Sequence, residues 1–393
     1  MERSIFDVIR EPRRLAALQA EWDDLFRRAP GAGIYQSFNW CWTAWETMFG
    51  PAGARLCCLV LRRADRLVLA WPFAIVPYHR FWSVARQLGS PGDYPEMLVD
   101  GGPDRAQLAE LAWAHLRKTC SADLVLLEHV RSGSLLGHAL QSDGARPRQT
   151  EPAPYVDWNE FPDFATYWRS RGKSFRGHID RRQRRLQELG PVSFSVESHP
   201  EAIAELFSWL LLTKRDWLAR RRQAPAAWMQ MTGYPEFLRA VQGRLGDGAV
   251  KAFTLKLGER ILAVHLSLVD DGGILFLHPA YDTEFLAYTP GSLLHRHTLA
   301  WACERSLNFD FLWGGQDYKQ RFANRNCDVF DTLVPVSPKG KLFCRLKEAQ
   351  ASATAELLRH NVSAGRAWLA SRAGRIIPAN AGRTPPTVQP SED

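Results

Sequence analysis

The order of apolar segments between Val250 and Pro335 constrains the fold more strongly than any other feature of the sequence. Three apolar segments follow one another closely, and the tight turn Leu257-Gly258-Glu259-Arg260 predicts that the first two form an antiparallel hairpin. The predicted elements are, in order, strands Val250–Leu257, Ile261–Val269 and Ile274–His278, helix Pro290–Arg305, strand Phe309–Trp313, helix Tyr318–Phe322 and strand Val329–Val336. This succession predicts a compact mixed sheet.

The rest of the chain alternates helices and strands, so the predicted fold class is α/β (α+β), with mixed, mainly antiparallel sheets flanked by helices. Around Gly144–Pro154 the sequence turns to Gly, Arg, Pro and Glu, which predicts a domain boundary. We therefore predict an N-terminal domain over 1–154, a second domain over 155–340, a C-terminal helix over 341–377 and a disordered tail over 378–393.

Composition and charge restrict the classes of protein to which the chain can belong. Hydrophobic residues make up 46% and charged residues 23% of its 393 residues, so a disordered chain and a membrane protein both fit poorly. The net charge of +8 favours an anionic ligand, such as nucleic acid, a phosphorylated cofactor or a charged lipid surface. The seven scattered cysteines predict free thiols in a reducing compartment. Since no apolar stretch is long enough to span a bilayer, the expected location is the cytoplasm.

A strand-to-helix turn carries the first candidate site. Tyr281-Asp282 ends a predicted strand, and Thr289-Pro290-Gly291-Ser292 begins the next predicted helix. Proline is pre-organised for the first helical turn, and Gly291 lets a ligand approach the backbone closely. Because the free amides and the dipole of a helix N-terminus favour negative charge, the turn predicts a pyrophosphate site. The alternative is an ordinary helix start after a strand.

The carboxyl end of the following strand carries the second candidate site. The apolar run Phe309–Trp313 ends in two glycines, after which come Asp317, Tyr318, Lys319 and Arg321. Ligands bind at this edge of mixed α/β sheets. Tyr318 could donate a proton to a leaving thiolate, and Lys319 could hold a phosphate or polarise a carbonyl, with Asp317 orienting either. The alternative is a capped loop whose cations are solvated.

Together these segments resemble a known family. The runs YD…TPGSLL and FDFLWGGQDYKQRF, preceded by RSRGKSFRGHIDRRQRRLQELGPVSF and, in the first half, by YQSFNWCWTAW and DYPEMLVD, are similar to the GNAT-type acetyltransferases of the bacterial cellulose-biosynthesis CelD group. The resemblance implies two tandem GNAT-like domains, as in the Fem-like transferases. The first would be degenerate, and the second would bind acyl-CoA beside a splayed pair of central strands.

The same resemblance implies direct transfer of the acyl group to an amine or hydroxyl, with no metal and no covalent intermediate. It places Thr289, Pro290, Gly291 and Ser292 near the CoA phosphates. The Q/R-x-x-G-x-G/A signature of simple GNAT enzymes is absent from residues 155–393, however. The implied acceptor is a small molecule or a glycan or cell-envelope precursor, such as an exopolysaccharide precursor.

Acyl transfer needs a base for the acceptor, hydrogen-bond donors for the oxyanion and an acid for the departing sulfur. Asp282 and Asp317 are the candidate bases, and Tyr281 and Tyr318 are the candidate acids. His265 and His278 are alternatives that could contact the substrate, because their strand positions could aim an imidazole into the same cleft. A satisfied core or surface histidine is the other interpretation of each.

A basic stretch on a predicted helix pair is the last candidate. Its cations could clamp the CoA 3′-phosphate or an anionic acceptor, and a solvated helical face is the alternative. Nucleic acid is not expected as a partner, since only Phe175 is interleaved with the cations. The cations are Arg169, Arg171, Lys173, Arg176, Arg181, Arg182, Arg184 and Arg185.

The sequence thus predicts an acyltransferase whose co-substrate is acyl-CoA, with acetyl-CoA as the simplest case, and which uses no metal. It lacks the motifs of P-loop NTPases, α/β-hydrolases and zinc proteases. Two alternatives stay open. One is a Fem-like transferase that uses aminoacyl-tRNA, and the other is a non-catalytic module of GNAT fold in an envelope-biosynthesis complex.

Overall fold

The computed structural model describes residues 4–350 apart from residues 91, 226 and 247. The chain divides into two units. Met1–Pro338 is the first and holds every strand that the described residues form, whereas Lys339–Asp393 is the second, and its described residues 339–350 are helical. Most of the helix predicted over 341–377 and all of the tail predicted over 378–393 lie outside the described residues.

The first half of the chain mixes short helices with long strands. Its helices are α1 (Pro12–Ala16), α2 (Gln19–Arg28), α3 (Phe38–Ala44), α4 (Arg105–Thr119) and α5 (Leu135–Ser142). Its strands are β1 (Ser4–Ile9), β2 (Arg55–Arg63), β3 (Arg66–Tyr78), β4 (Trp82–Gln87), β5 (Leu98–Val99), β6 (Leu124–Arg131) and β7 (Gln149–Val156).

The second half begins with helices and then follows the predicted order of strands and helices. Its helices are α6 (Phe164–Ser170), α7 (Lys173–Gln187), α8 (Pro200–Arg220), α9 (Ala227–Gln230), α10 (Tyr234–Leu245), α11 (Pro290–Cys303) and α12 (Asp317–Phe322). Its strands are β8 (Val192–Glu197), β9 (Val250–Leu257), β10 (Arg260–Asp270), β11 (Gly273–Tyr281), β12 (Phe309–Asp310) and β13 (Arg325–Pro335).

All of these strands belong to one sheet. Its order is β1-β2-β3-β4-β6-β13-β7-β12-β11-β10-β9-β8, and β5 pairs with β3. The pairings are antiparallel except for β4 with β6 and β11 with β12. The predicted mixed α/β fold, with a mainly antiparallel sheet flanked by helices, is confirmed.

The last strand of the sheet joins the two halves of the chain. β13 pairs with β7 through Arg325–Asp331 and with β6 through Val329–Pro335. A strand from the second half therefore lies between two strands of the first half. The boundary predicted between residues 154 and 155 lies inside β7, and the division into two domains stays a prediction.

The helices cover both faces of the second half of the sheet. Neighbouring residues of a strand point to opposite faces. Ala252 of β9 packs in one buried cluster with residues of α8 and α10, and Phe253 packs in another with residues of α6, α7 and α11. Consequently α8 and α10 lie on one face, and α6, α7 and α11 lie on the other.

The strands β11 and β12 separate soon after they meet. They pair at Ile274↔Phe309 and Leu275↔Asp310. After these two pairs, β11 continues to Tyr281, paired with β10 on one side and with no described strand on the side of β12. On the other side, the Asp310 carboxylate accepts the N–H of Leu312 at 2.7 Å, and Leu312 adopts a φ of 57°. This turn ends β12, so the strand predicted over Phe309–Trp313 was too long.

The buried carboxylate of Asp310 is held by the first half of the chain. Arg131 of β6 donates to it at 2.5 Å, and the Tyr94 hydroxyl donates to it at 3.0 Å. The guanidinium of Arg131 lies 4.0 Å from the centre of the Tyr94 ring. Because a buried charge is costly without a partner, this group fixes where the chain turns after β12.

Within residues 4–350, no described helix combines the length and the apolar character that are needed to cross a bilayer.

Gly273 should be needed at the start of β11. Its φ is 135°, and a Cβ there would lie 2.5 Å from the Asn308 carbonyl oxygen. We expect Gly273→Ala to lower the free energy of unfolding by roughly 1–3 kcal/mol more than Gly258→Ala does. Gly258 is a matched control, since it also has a positive φ but a Cβ there meets nothing within 4 Å. Urea denaturation measures both, and equal losses would contradict the predicted close approach.

Candidate functional site

A cavity of about 890 Å³ lies where β11 and the chain after β12 separate. Residues 276–281 line it along β11, and residues 311–313 line it on the other side of the gap. Its position follows from the parting of the two strands, because the gap between them is not closed by backbone hydrogen bonds.

The cavity reaches both faces of the sheet. We use "α11 side" for the part lined by Thr289–Ser292, His295 and Tyr318, and "α8 side" for the part lined by Asp93, Lys214, Trp217, Trp228 and Tyr234. Because α11 and α8 pack on opposite faces, a ligand on one side can meet a ligand on the other only through the gap between the strands.

The N-terminus of α11, which the sequence predicted as a pyrophosphate site, forms one wall of the cavity. Thr289, Pro290, Gly291 and Ser292 all line the cavity together with Tyr281. Thr289 precedes the helix with a φ of 49°, and among the described residues its hydroxyl oxygen has no hydrogen-bond partner. A polar atom that is buried without a partner costs free energy, so this position suits a polar ligand.

Tyr318 lies on the α11 side, against the ring of His295. The two rings are stacked, with centroids 5.5 Å apart and planes 10° apart. Burial raises the pKa of the Tyr318 phenol above its ordinary value, and the nearby Tyr281 adds to this. Burial lowers the pKa of His295 to about 3, and its Nδ1 has no hydrogen-bond partner within the described part of the chain. Tyr318 is therefore a proton donor at neutral pH, and His295 is uncharged.

Lys319 lies in the same wall but is tied to the backbone. Its Nζ donates to the carbonyl oxygens of Trp313 at 2.6 Å and Leu312 at 3.5 Å. Burial lowers its pKa to about 8. Lys319 thus holds the chain after β12 in place while it lines the cavity.

The two histidines on strands, His265 and His278, differ in the hydrogen bonds that their ring nitrogens make. His265 is buried, with Ser267 Oγ 3.1 Å from its Nδ1 and Thr298 Oγ1 2.9 Å from its Nε2, so both ring nitrogens are engaged. His278 stacks on Trp228 at 4.0 Å, and its Nε2 lies 2.6 Å from the Tyr234 hydroxyl. Burial keeps the pKa of both histidines well below the ordinary value, so both are neutral.

Three predicted site residues do not line the cavity. Asp282 accepts hydrogen bonds from Arg260 at 2.6 and 2.9 Å and caps the backbone N–H of Glu284. Asp317 is exposed in the first turn of α12. Arg176 lies on α7, where its Nε donates to the Arg171 carbonyl oxygen at 3.0 Å. The roles predicted for these three residues stay predictions.

Asp93 contributes a carboxylate to the α8 side that the sequence did not single out. It accepts hydrogen bonds from the Ser90 N–H at 2.7 Å, the Ser90 hydroxyl at 2.5 Å and the Trp40 indole N–H at 2.6 Å. Burial of the carboxylate outweighs these bonds and raises the pKa of Asp93 to about 7. A carboxyl group with such a pKa can exchange a proton at neutral pH.

Lys214 is the cation of the α8 side. It projects from α8, with its Nζ 3.3 Å from the Pro279 carbonyl oxygen and 5.5 Å from the centre of the Trp228 ring. Burial lowers its pKa to about 8. The sequence contains a clue to Lys214, because Lys214 lies four residues after the apolar Leu210 and therefore on the same face of a helix. The signal for Asp93 was its polar loop between two apolar segments.

The first half of the chain adds a polar wall near the gap. Arg86 pairs with Glu128, and the imidazole of His129 stacks on Trp313 with centroids 4.0 Å apart. Glu151 and Asp331 line the same wall. Among residues 4–350 that the structure describes, no three His, Cys, Asp or Glu side chains form a group that could hold a metal ion. The predicted absence of a metal stays a prediction.

Part of the chain matches a known kind of domain. Residues 173–320 match the acetyltransferase (GNAT) domain. The matched segment includes β11, α11 and the first part of α12, which contribute to the α11 side of the cavity. No curated protein matches the sequence.

Solved structures of tandem GNAT proteins share the fold of nearly the whole chain. The crystal structure of FemX is 12% identical, covers 81% of this chain and 94% of its own, and has a TM-score of 0.53. A tandem GNAT protein from the clavulanic acid biosynthesis pathway is 14% identical, covers 86% of this chain and 99% of its own, and has a TM-score of 0.50. At these identities the likeness shows the fold alone.

The pKa of Asp93 should make stability depend on pH. Because its folded pKa of about 7 lies above the ordinary value of 3.8, its contribution to stability is present at low pH and is lost as the pH rises through 7. Between about pH 5 and pH 8, the wild type should lose roughly 2–3 kcal/mol relative to Asp93→Asn, since one pKa unit corresponds to ~1.4 kcal/mol.

Urea denaturation of both proteins at the two pH values measures this difference. Asp317→Asn is the control, because its side chain is exposed and lies outside the cavity. A difference between wild type and Asp93→Asn that is the same at both pH values would contradict the raised pKa.

Proposed function

We propose that the protein transfers an acyl group, most simply acetyl, directly from acyl-CoA to an amine or hydroxyl of an acceptor. One observation carries the proposal, namely the cavity that crosses the sheet between β11 and the chain after β12. Direct transfer requires donor and acceptor to be bound at the same time with their reacting atoms in contact. A single cavity whose lining residues come from both faces of the sheet meets that requirement.

Several features of the α11 side suit acyl-CoA. The backbone N–H of Gly291 and the hydroxyl of Thr289, which has no hydrogen-bond partner among the described residues, can hydrogen bond to phosphate oxygens. The edge of β11 from Phe276 to Tyr281 can pair with an extended chain that carries amides. When bound, acyl-CoA supplies a thioester whose thiolate is the leaving group.

Tyr318 is the proposed acid for the departing sulfur. Its phenol is protonated at neutral pH, so it has a proton to give, and it lines the α11 side where the sulfur would lie. The unpartnered Nδ1 of His295, which lines the same wall, can hydrogen bond to a ligand there. Tyr281 lines the cavity as well and is the second candidate acid.

Asp93 is the proposed base for the acceptor. Its pKa of about 7 leaves the carboxylate able to take a proton near neutral pH, and it lies on the α8 side. The predicted bases Asp282 and Asp317 lie outside the cavity. The paired Tyr234 and His278 complete this side, where they can position the acceptor by hydrogen bonding.

The α8 side also favours a ring-shaped acceptor. Trp217, Trp228 and Tyr234 supply aromatic surface, which stacks well against the apolar face of a sugar. The resemblance of the sequence to the CelD group supports the same choice. We therefore propose a glycan or cell-envelope precursor, such as an exopolysaccharide precursor, as the acceptor.

Binding of acetyl-CoA tests the donor half of this proposal. We expect saturable binding in isothermal titration, and loss of at least tenfold in affinity in Gly291→Trp, because the indole would fill the wall beside Tyr281. Gly133→Trp is the control, since Gly133 is exposed and a Cβ there meets nothing within 4 Å.

The outcomes separate the alternatives. An unchanged affinity in Gly291→Trp would contradict binding at the N-terminus of α11. No binding of acetyl-CoA to the wild type would contradict an acyl-CoA donor altogether, and RNA that purifies with the protein would then favour an aminoacyl-tRNA donor.

A further inference from the structure

Lys214 lines the cavity without an ion pair to any residue that the structure describes. Within the described residues, no carboxylate lies at ion-pair distance from its Nζ, and its one hydrogen bond is the 3.3 Å contact with the Pro279 carbonyl oxygen. Burial alone lowers its pKa to about 8, with no acidic neighbour to restore it. A cation buried without a partner is costly, so Lys214 readily becomes a neutral amine.

The position of Lys214 brings this amine to the passage between the two sides. Pro279, which its Nζ contacts, belongs to the part of β11 that pairs with β10 but not with β12, and Pro279 itself lines the cavity. Neutral lysine amines react with acyl carbonyl carbons. The structure therefore holds a nucleophile next to the edge along which an acyl-CoA chain would lie.

Lys319, the other lysine that lines the cavity, differs in its freedom. Its Nζ is fixed by the Trp313 carbonyl oxygen at 2.6 Å and by the Leu312 carbonyl oxygen at 3.5 Å. Leaving these acceptors would cost hydrogen bonds in a buried site. Lys214 has only its one long hydrogen bond to give up. The two lysines should therefore differ in reactivity, although burial lowers the pKa of both.

We propose that Lys214 is a self-acylation site, at which the protein transfers an acyl group from acyl-CoA to its own side chain when no acceptor occupies the α8 side. The inference rests on the proposed acyl-CoA function. The Lys214 Nζ forms an amide bond with the acyl carbonyl carbon, the carbon–sulfur bond breaks, and the electron pair leaves with the sulfur. The nitrogen loses one proton and the sulfur gains one, so the products are Nε-acyl-Lys214 and free CoA thiol.

Self-acylation would change the α8 side in two ways. The positive charge beside Trp228 would be lost, and the acyl group would occupy space that the acceptor needs. An acceptor already bound would shield the amine. The modification would thus lower transfer by enzyme that holds acyl-CoA without an acceptor.

Mass spectrometry of the full chain incubated with acetyl-CoA tests the proposal. We expect peptide mapping to find acetyl on Lys214 at a rate at least roughly tenfold above that of the exposed Lys118, because the donor is bound beside it. Lys319 should stay unmodified. The rate should rise with pH and level off above about pH 8, as the neutral amine becomes the main form.

Two variants and one binding measurement make the outcomes decisive. Lys214→Arg should remove the modification while circular dichroism shows a folded chain, and Gly291→Trp should slow it at least tenfold by blocking the α11 side. If acetyl-CoA binds in isothermal titration and Lys214 is not acetylated, self-acylation is wrong and the proposed function stands. If acetyl-CoA does not bind, both are wrong. Equal acetylation in wild type and Gly291→Trp would show ordinary chemical acetylation and overturn the proposal.

Discussion

The ion pair of Asp310 and Arg131 helps to determine where the site can form. Arg131 comes from β6 in the first half of the chain and holds the Asp310 carboxylate at the end of β12, while the same carboxylate accepts the N–H of Leu312 and turns the chain away from β11. The parallel pairing of β11 with β12 is thereby limited to two residue pairs. The pair is partly buried, and Asp310 also accepts a hydrogen bond from the Tyr94 hydroxyl, so several groups of the first half hold this turn together. The ion pair thus adds a contact between the halves of the chain at the edge of the gap.

Burial of polar groups around that gap gives them the proton affinities that acyl transfer needs. Desolvation disfavours charge, so it moves the pKa of Asp93 up to about 7 and the pKa values of Lys214 and Lys319 down to about 8. An acid and two amines that would ordinarily titrate far apart are brought close to neutral pH. Burial also raises the pKa of Tyr318, whose phenol stays protonated at neutral pH. In the proposed function, Asp93 serves as the base, Tyr318 as the acid and Lys214 as the reactive amine.

Much of the second half could be predicted from sequence, because its strands and helices have clear apolar periods and a helix start that proline and glycine define. The predicted strand Val250–Leu257 matches the structure, and the predicted helix Pro290–Arg305 begins at the same residue as α11. The wall at Thr289–Ser292 followed from the same local rules. Features that depend on contacts between segments far apart in the sequence were missed. β7 was predicted as a boundary because Pro152 and Pro154 suggest a linker, yet their carbonyl oxygens accept from Gly314 and Phe311. Asp93 and Lys214 reach the cavity only through packing between distant segments, which no local pattern encodes.

A crystal structure of the protein with coenzyme A is the most direct test of the account, because it locates the donor without any assumption about the acceptor. We expect the pyrophosphate at the backbone N–H of Gly291 and the hydroxyl of Thr289, and the sulfur in the gap between residues 276–281 and 311–313, facing Tyr318. Coenzyme A bound elsewhere, for example along the basic face of α7 with the gap closed, would contradict the claim that the parted strands form the reaction centre.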